Sequence, residues 1–198
     1  MNRVIHFLCL ASLRLAPLCV AAACAQGSTP AAGTSASPPP ATKLEAFKPA
    51  AGSVVTVGYT ELGTVSGSPS GTVSVDAREL RDAKGNLVRG VIVEVTTGEY
   101  REERAFIDTD ELPELLKGMD ALLSVNTNPT TYESFEVRYT TKGELQLTAF
   151  NSGKQISYAV QAGRITHANA FTDENGFRRL RAMFQEASQK LGTLTAKD

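Results

Sequence analysis

Residues 91–123 read VIVEVTTGEYREERAFIDTDELPELLKGMDALL, and this stretch decides the fold. Val91, Val93 and Val95 alternate with Ile92, Glu94 and Thr96, a period-two pattern that predicts a half-buried strand. Gly98 turns the chain into a second strand over about 99–107. Leu112, Leu115, Leu116, Met119, Leu122 and Leu123 then recur at i, i+3 and i+4 spacing, which predicts an amphipathic helix. Asp108, Asp110 and Glu111 stand where the helix dipole favours acids, and Pro113 suits a first turn.

Upstream, a β-like run begins at Val54, Val55 and Val57 and reaches Val65. The turn Ser68-Pro69-Ser70-Gly71 leads to a strand over about 72–82, and Lys84-Gly85-Asn86 turns again. Downstream of the loop Asn126-Thr127-Asn128-Pro129 the order recurs. Phe135, Val137 and Tyr139 alternate with charged residues, Lys142-Gly143 turns into Leu145 and Leu147, and Asn151-Ser152-Gly153 turns once more. Ile156, Tyr158 and Val160 form a third strand, and Gly163 leads into a fourth through Phe171. A final helix over about 174–191 carries Phe177, Leu180, Met183, Phe184, Ala187 and Leu191 on one face.

Each half is therefore four strands and then a helix. At a fixed offset of 65 residues, Glu79, Leu80, Asn86, Val95, Gly98, Ala105, Phe106, Asp108 and Leu115 are identical to Glu144, Leu145, Asn151, Val160, Gly163, Ala170, Phe171, Asp173 and Leu180. The expected fold class is α+β: duplicated ββββα units with antiparallel sheets, each covered by a helix. The two units, about 53–123 and 133–191, form one pseudo-two-fold domain over 53–192, followed by a tail at 193–198. Each half alone is too small to build an adequate core.

The N-terminus points to export. Arg3 supplies a positive start, Val4–Ala23 contains no carboxylate, and Ala23-Cys24-Ala25 is a small-residue cleavage site. Residues 1–25 are thus expected to be a signal segment. Ala21-Ala22-Ala23-Cys24 also resembles the processing motif of bacterial lipoproteins, with Ala21 where Leu is usual, so lipidation of Cys24 stands as the alternative to cleavage after Ala25. Such a lipid would be the only route to a membrane, each buried CH2 adding about 0.8 kcal/mol. Residues 26–52, opening QGSTPAAGTSASPPPAT, are poor in large apolar side chains and are expected to form a disordered tether. The expected location is the periplasm or the outer envelope.

Beyond residue 25 there are 18 basic and 21 acidic side chains, so a sequence-independent nucleic-acid binder is disfavoured. All three cysteines (Cys9, Cys19 and Cys24) precede residue 26, and His167 is the one histidine after it, which excludes a His/Cys zinc centre. No nucleophile motif or cofactor motif is present. His167 is placed in a strand, where it reads as a surface histidine. Asp108, Asp110, Glu111 and Glu114 form the densest acidic cluster, which the helix start explains. Arg101-Glu102-Glu103-Arg104 reads as a charged strand edge that discourages aggregation. Arg178, Arg179 and Arg181 make a basic strip on the last helix. Residues 53–123 carry 7 basic against 13 acidic side chains, whereas 133–191 carry 8 against 6. Anion contacts are therefore expected in the second half, with Arg164, His167, Arg178, Arg179 and Arg181 as the candidate binding residues.

The duplicated ββββα order resembles the Whirly single-strand DNA-binding fold. That likeness lies in topology and would imply nucleic-acid binding through the second repeat. Tyr139-Thr140-Thr141-Lys142-Gly143-Glu144-Leu145 and Ile156-Ser157-Tyr158-Ala159-Val160-Gln161-Ala162-Gly163-Arg164 resemble a pattern in short exported bacterial proteins of unknown function, which implies no activity. The leading expectation is a non-enzymatic exported domain that binds another protein or a small ligand. A hydrolase of envelope material using Asp108 or His167 is a second reading, and single-stranded nucleic-acid binding is a third.

Overall fold

The structure, a computed structural model, describes residues 39–67, 71–99 and 101–195. The signal segment, Cys24, residues 26–38 of the tether and the turn residues Ser68, Pro69 and Ser70 lie outside them. A short helix α1 (Lys43–Ala46) precedes the first unit: β1 (Val55–Gly67), β2 (Gly71–Asp82), β3 (Leu87–Thr97), β4 (Arg101–Asp108), a 3-10 turn (Thr109–Glu111) and α2 (Leu112–Leu123). The second unit is β5 (Glu136–Thr140), β6 (Gln146–Ser152), β7 (Gln155–Ala162), β8 (Ala168–Thr172) and α3 (Glu174–Thr195). Each unit forms an antiparallel four-stranded sheet in sequence order, so the duplicated ββββα architecture stands.

The alternation read in β3 sets the register. Val73, Val75 and Ala77 of β2 face Val95, Val93 and Val91, which in turn face Glu103, Ala105 and Ile107 of β4. Of these residues, the apolar ones are buried. In the second sheet Leu147 faces Val160 and Ala149 faces Tyr158, while Ala168 and Ala170 of β8 complete the buried face. Small side chains on β8 let the sheets approach closely: a Cβ on Gly71 would lie 3.2 Å from Ala170 Cβ, and Thr97 Oγ1 donates to the Asn169 carbonyl at 2.6 Å.

The helices are exchanged between the sheets, which their amphipathic faces alone could not foretell. Helix α2 approaches β5 and β6, whereas α3 lies along β1 and β2 and also touches β7 and β8. Gly118 makes the first arrangement possible, because a Cβ there would sit 2.4 Å from the Tyr139 ring of β5. Phe177 of α3 stacks on Tyr158, with ring centroids 4.4 Å apart. Asp173 caps α3 by accepting from Gly176 N at 2.8 Å.

Six of the nine identities occupy comparable places, from Val95 with Val160 to Leu115 with Leu180. The other three do not. Glu79 and Leu80 lie within β2, but Glu144 and Leu145 lie in the turn before β6, where Glu144 has φ 61°. Asn86 follows its turn glycine whereas Asn151 precedes one.

Three local expectations change. Residues 163–167 form a loop, so His167 lies ahead of β8 and outside any strand. Gly163, at φ 108°, starts this loop, and His167 Nδ1 closes back to within 2.8 Å of its carbonyl oxygen. Part of the expected tether is also ordered: Thr42 and Leu44 are buried, and Leu44 packs over Gly90. Helix α3 runs on to Thr195, past the expected end of the domain.

Candidate functional site

The acidic cluster at the start of α2 holds the fold together. Asp108, which is 4% exposed, accepts from Lys43 N at 3.0 and 2.9 Å and from Leu44 N at 3.2 Å. Its carboxylate thus anchors the start of α1, 64 or 65 residues away in sequence. Glu111 accepts from Asp108 N at 3.4 Å and Lys142 N at 2.9 Å. Asp110 pairs with Lys43, whose ammonium holds the carboxyl below its ordinary range, and Glu114 pairs with Lys117. A cleft of about 390 Å³ between α1 and the start of β3 borders this cluster, but each of the four acids already has a partner.

The five candidate binding residues do not converge on one site. Arg164 donates to the Pro39 carbonyl at 2.7 Å and to Glu45 at 3.2 Å, with Glu144 at 3.5 Å. It fastens the chain around α1. His167 closes its own loop, and its carbonyl accepts from Arg101 at 3.5 Å. Arg178 is held by Glu174 one turn earlier. Arg181 reaches across to Asp120 of α2 through Nε and Nη2, at 2.5 and 2.8 Å, and this guanidinium lowers the Asp120 pKa. Arg179 is exposed, with no ion-pair partner among the described residues. The basic strip is mostly consumed within and between helices.

Unsatisfied surface lies elsewhere, on β1. Among the described residues this strand is an edge of its sheet, paired with β2 alone. From Thr56 to Glu61 every residue is exposed, and Val55 is half-buried. Val54, Val57 and Tyr59 are 75%, 48% and 71% exposed. A bulge between Glu61 and Gly63 shifts the register, pairing resumes with Gly63 opposite Val75, and Gly63 lies against Met183 of α3. Pairing Thr60 with Ala77, Tyr59 with Arg78 and Gly58 with Glu79 puts Val55, Val57, Tyr59 and Leu80 on one face of the sheet. On that face the Arg78 guanidinium sits 5.9 Å from the Tyr59 ring centroid and donates to Asp76 through Nη2, while its buried Nε has no hydrogen-bond partner among the described residues.

Around the β1 edge opens a groove of about 630 Å³. Gly58, Thr60 and Ala77 meet Leu191, Thr193 and Leu194 of the last turns of α3 there. The groove is mostly apolar, with Glu79 and Lys190 at its margin. Sequence reading overlooked this surface because Val-Thr-Val-Gly-Tyr-Thr has the composition of any buried strand.

Among the described residues no group of three or more metal-ligating side chains forms, and no helix is long and apolar enough to cross a membrane. No family model matches the chain, and no curated protein is significantly similar to it.

Proposed function

We propose that this chain is a non-enzymatic, exported or envelope-tethered interaction domain that docks an extended polypeptide strand along β1. One observation carries the reading: the run Val55–Glu61 presents an open backbone edge beside exposed apolar side chains and an apolar groove. Edge strands are ordinarily blunted by Lys, Pro, shortness or cover. Before Glu61 this run has no charge and no proline, and β1 is 13 residues long. Strand addition supplies affinity through main-chain hydrogen bonds, and the groove takes alternate side chains. Export rests on residues 1–25, and the lipid-anchored form on Cys24.

A photo-crosslinking residue in place of Tyr59, in cells exporting the chain, tests this. A polypeptide adduct is expected there and not from Tyr132, which is 81% exposed and remote from β1 in sequence. Lysines at Thr56 and Thr60 should abolish the adduct. Absence of any adduct at position 59, or equal labelling at 132, overturns the reading.

A further inference from the structure

We infer that the strand docking on β1 is β1 of a second copy of this chain, antiparallel about a two-fold axis at Gly58; this rests on the reading of β1 as an interaction edge. Gly58 is the midpoint of Val55–Glu61, the regularly paired stretch of β1 before its bulge. A dyad there sets Val57 against Tyr59 of the second copy, Thr56 against Thr60, and Val55 against Glu61. Aromatic with β-branched and Thr with Thr are favourable cross-strand pairs. The one charge in the run, Glu61, meets an apolar side chain, and the two glutamates lie at opposite ends of the interface. A dyad at Glu61 would bring like charges face to face, and one at Thr60 would run the pairing into the bulge after Glu61. Only the Gly58 register uses the whole regular run without either fault.

The glycine itself carries a second argument. Its φ is not in the left-handed region, and a Cβ would meet nothing closer than Glu79 Cβ at 3.8 Å. The monomer therefore has no use for glycine here, although glycine in a strand costs about 0.5–1 kcal/mol. Glycine inside a strand often marks close approach by another backbone. At the dyad two Gly58 residues face each other on the groove side, where each copy's Leu194, 40% exposed, awaits cover. On the opposite face Val57, Tyr59 and Leu80 of both copies become one apolar band. The contact is isologous, so it closes at two copies and does not propagate into fibres.

The test is light scattering during size exclusion of the chain purified from the exporting cell. Twice the monomer mass of 21.1 kDa, less any removed segment, is expected. Gly58→Lys places like charges directly opposite and should weaken association by at least about tenfold. Ser152→Lys, at the exposed end of β6, should leave it unchanged. Gly58→Cys should form an intermolecular disulfide on mild oxidation, since facing Cα atoms lie about 4.5–5.5 Å apart in such a pair; Ser152→Cys should not. Circular dichroism of the lysine variants separates lost pairing from lost folding. A monomer at all concentrations with no Gly58→Cys dimer, or a dimer indifferent to Gly58→Lys, overturns the inference. If the position-59 adduct then proves to be a different polypeptide, self-pairing fails while the interaction reading stands. No adduct at all defeats both.

Discussion

Removing the Asp108 carboxylate should release α1, and the size of the effect follows from its geometry. Two backbone N–H groups, of Lys43 and Leu44, end on this buried carboxylate. Hydrogen bonds to charged groups contribute about 1.5–3 kcal/mol each. If α1 stayed docked in Asp108→Ala, two unsatisfied donors would cost about 3–6 kcal/mol. Undocking lets water satisfy them and caps the loss at what docking contributes, chiefly the burial of Leu44, worth about 1.5–3 kcal/mol. The expected destabilisation is therefore about 3 kcal/mol, with Leu44→Ala costing about 2–3 kcal/mol. Both variants detach one element, so the double variant should cost little more than Asp108→Ala alone. Urea unfolding of all four proteins measures this coupling, and hydrogen exchange should show early exposure of residues 43–46 in either single variant. Strict additivity, or an Asp108→Ala cost below about 0.5 kcal/mol, would refute the anchoring argument.

Three further outcomes are expected. Gly118→Ala should destabilise by about 1–2 kcal/mol, because overpacking against Tyr139 outweighs the roughly 1 kcal/mol gained in helix propensity. Gly192→Ala, with no described residue within 4 Å of its Cβ, should instead stabilise, and thermal unfolding reads both signs. Because Arg181 depresses the Asp120 pKa, that pair stabilises the fold above the ordinary carboxylate value of about 3.9 and loses its contribution as pH falls through the folded value. With both side chains partly exposed the effect is at most about 1 kcal/mol, and Asp120→Asn should lose only that acid-side slope in pH-dependent denaturation. Mass spectrometry of the mature N-terminus should find either acylated Cys24 or a chain beginning at Gln26; an intact Met1 would refute export processing.

Burial on one side made most of the fold legible. Val91, Val93 and Val95 alternate because one face of β3 meets the main core, although Ile92 on the other face is buried as well, and the Leu112–Leu122 stripe recurs because α2 buries one face. An apolar stripe states that a partner exists but not which one, so the exchange of helices between sheets stayed hidden. Leu44 is one large side chain in a segment of disordered composition, and its anchor is an acid more than sixty residues away. Asp108 was rightly placed at a helix start, yet its carboxylate serves the remote α1. The arginines of α3 read as a free basic strip because sequence could not place Asp120 beside Arg181.

The exposed apolar length of β1 goes with unequal repeats. Strands β5 and β6 have 5 and 7 residues, while β1 and β2 have 13 and 12. Helix α2, of 12 residues, spans roughly 18 Å. The strand it covers, β5, is roughly 17 Å long. Helix α3, of 22 residues, spans roughly 33 Å, but β1 extends roughly 43 Å. The longer helix thus falls short of the strand it covers. Its last turns line the groove only as far as Gly58, and among the described residues Val55–Val57 pair with β2 alone. The added length exposes apolar side chains and raises the risk of aggregation, so its presence requires a cover, and a self-matching run centred on Gly58 provides one that stops at two copies.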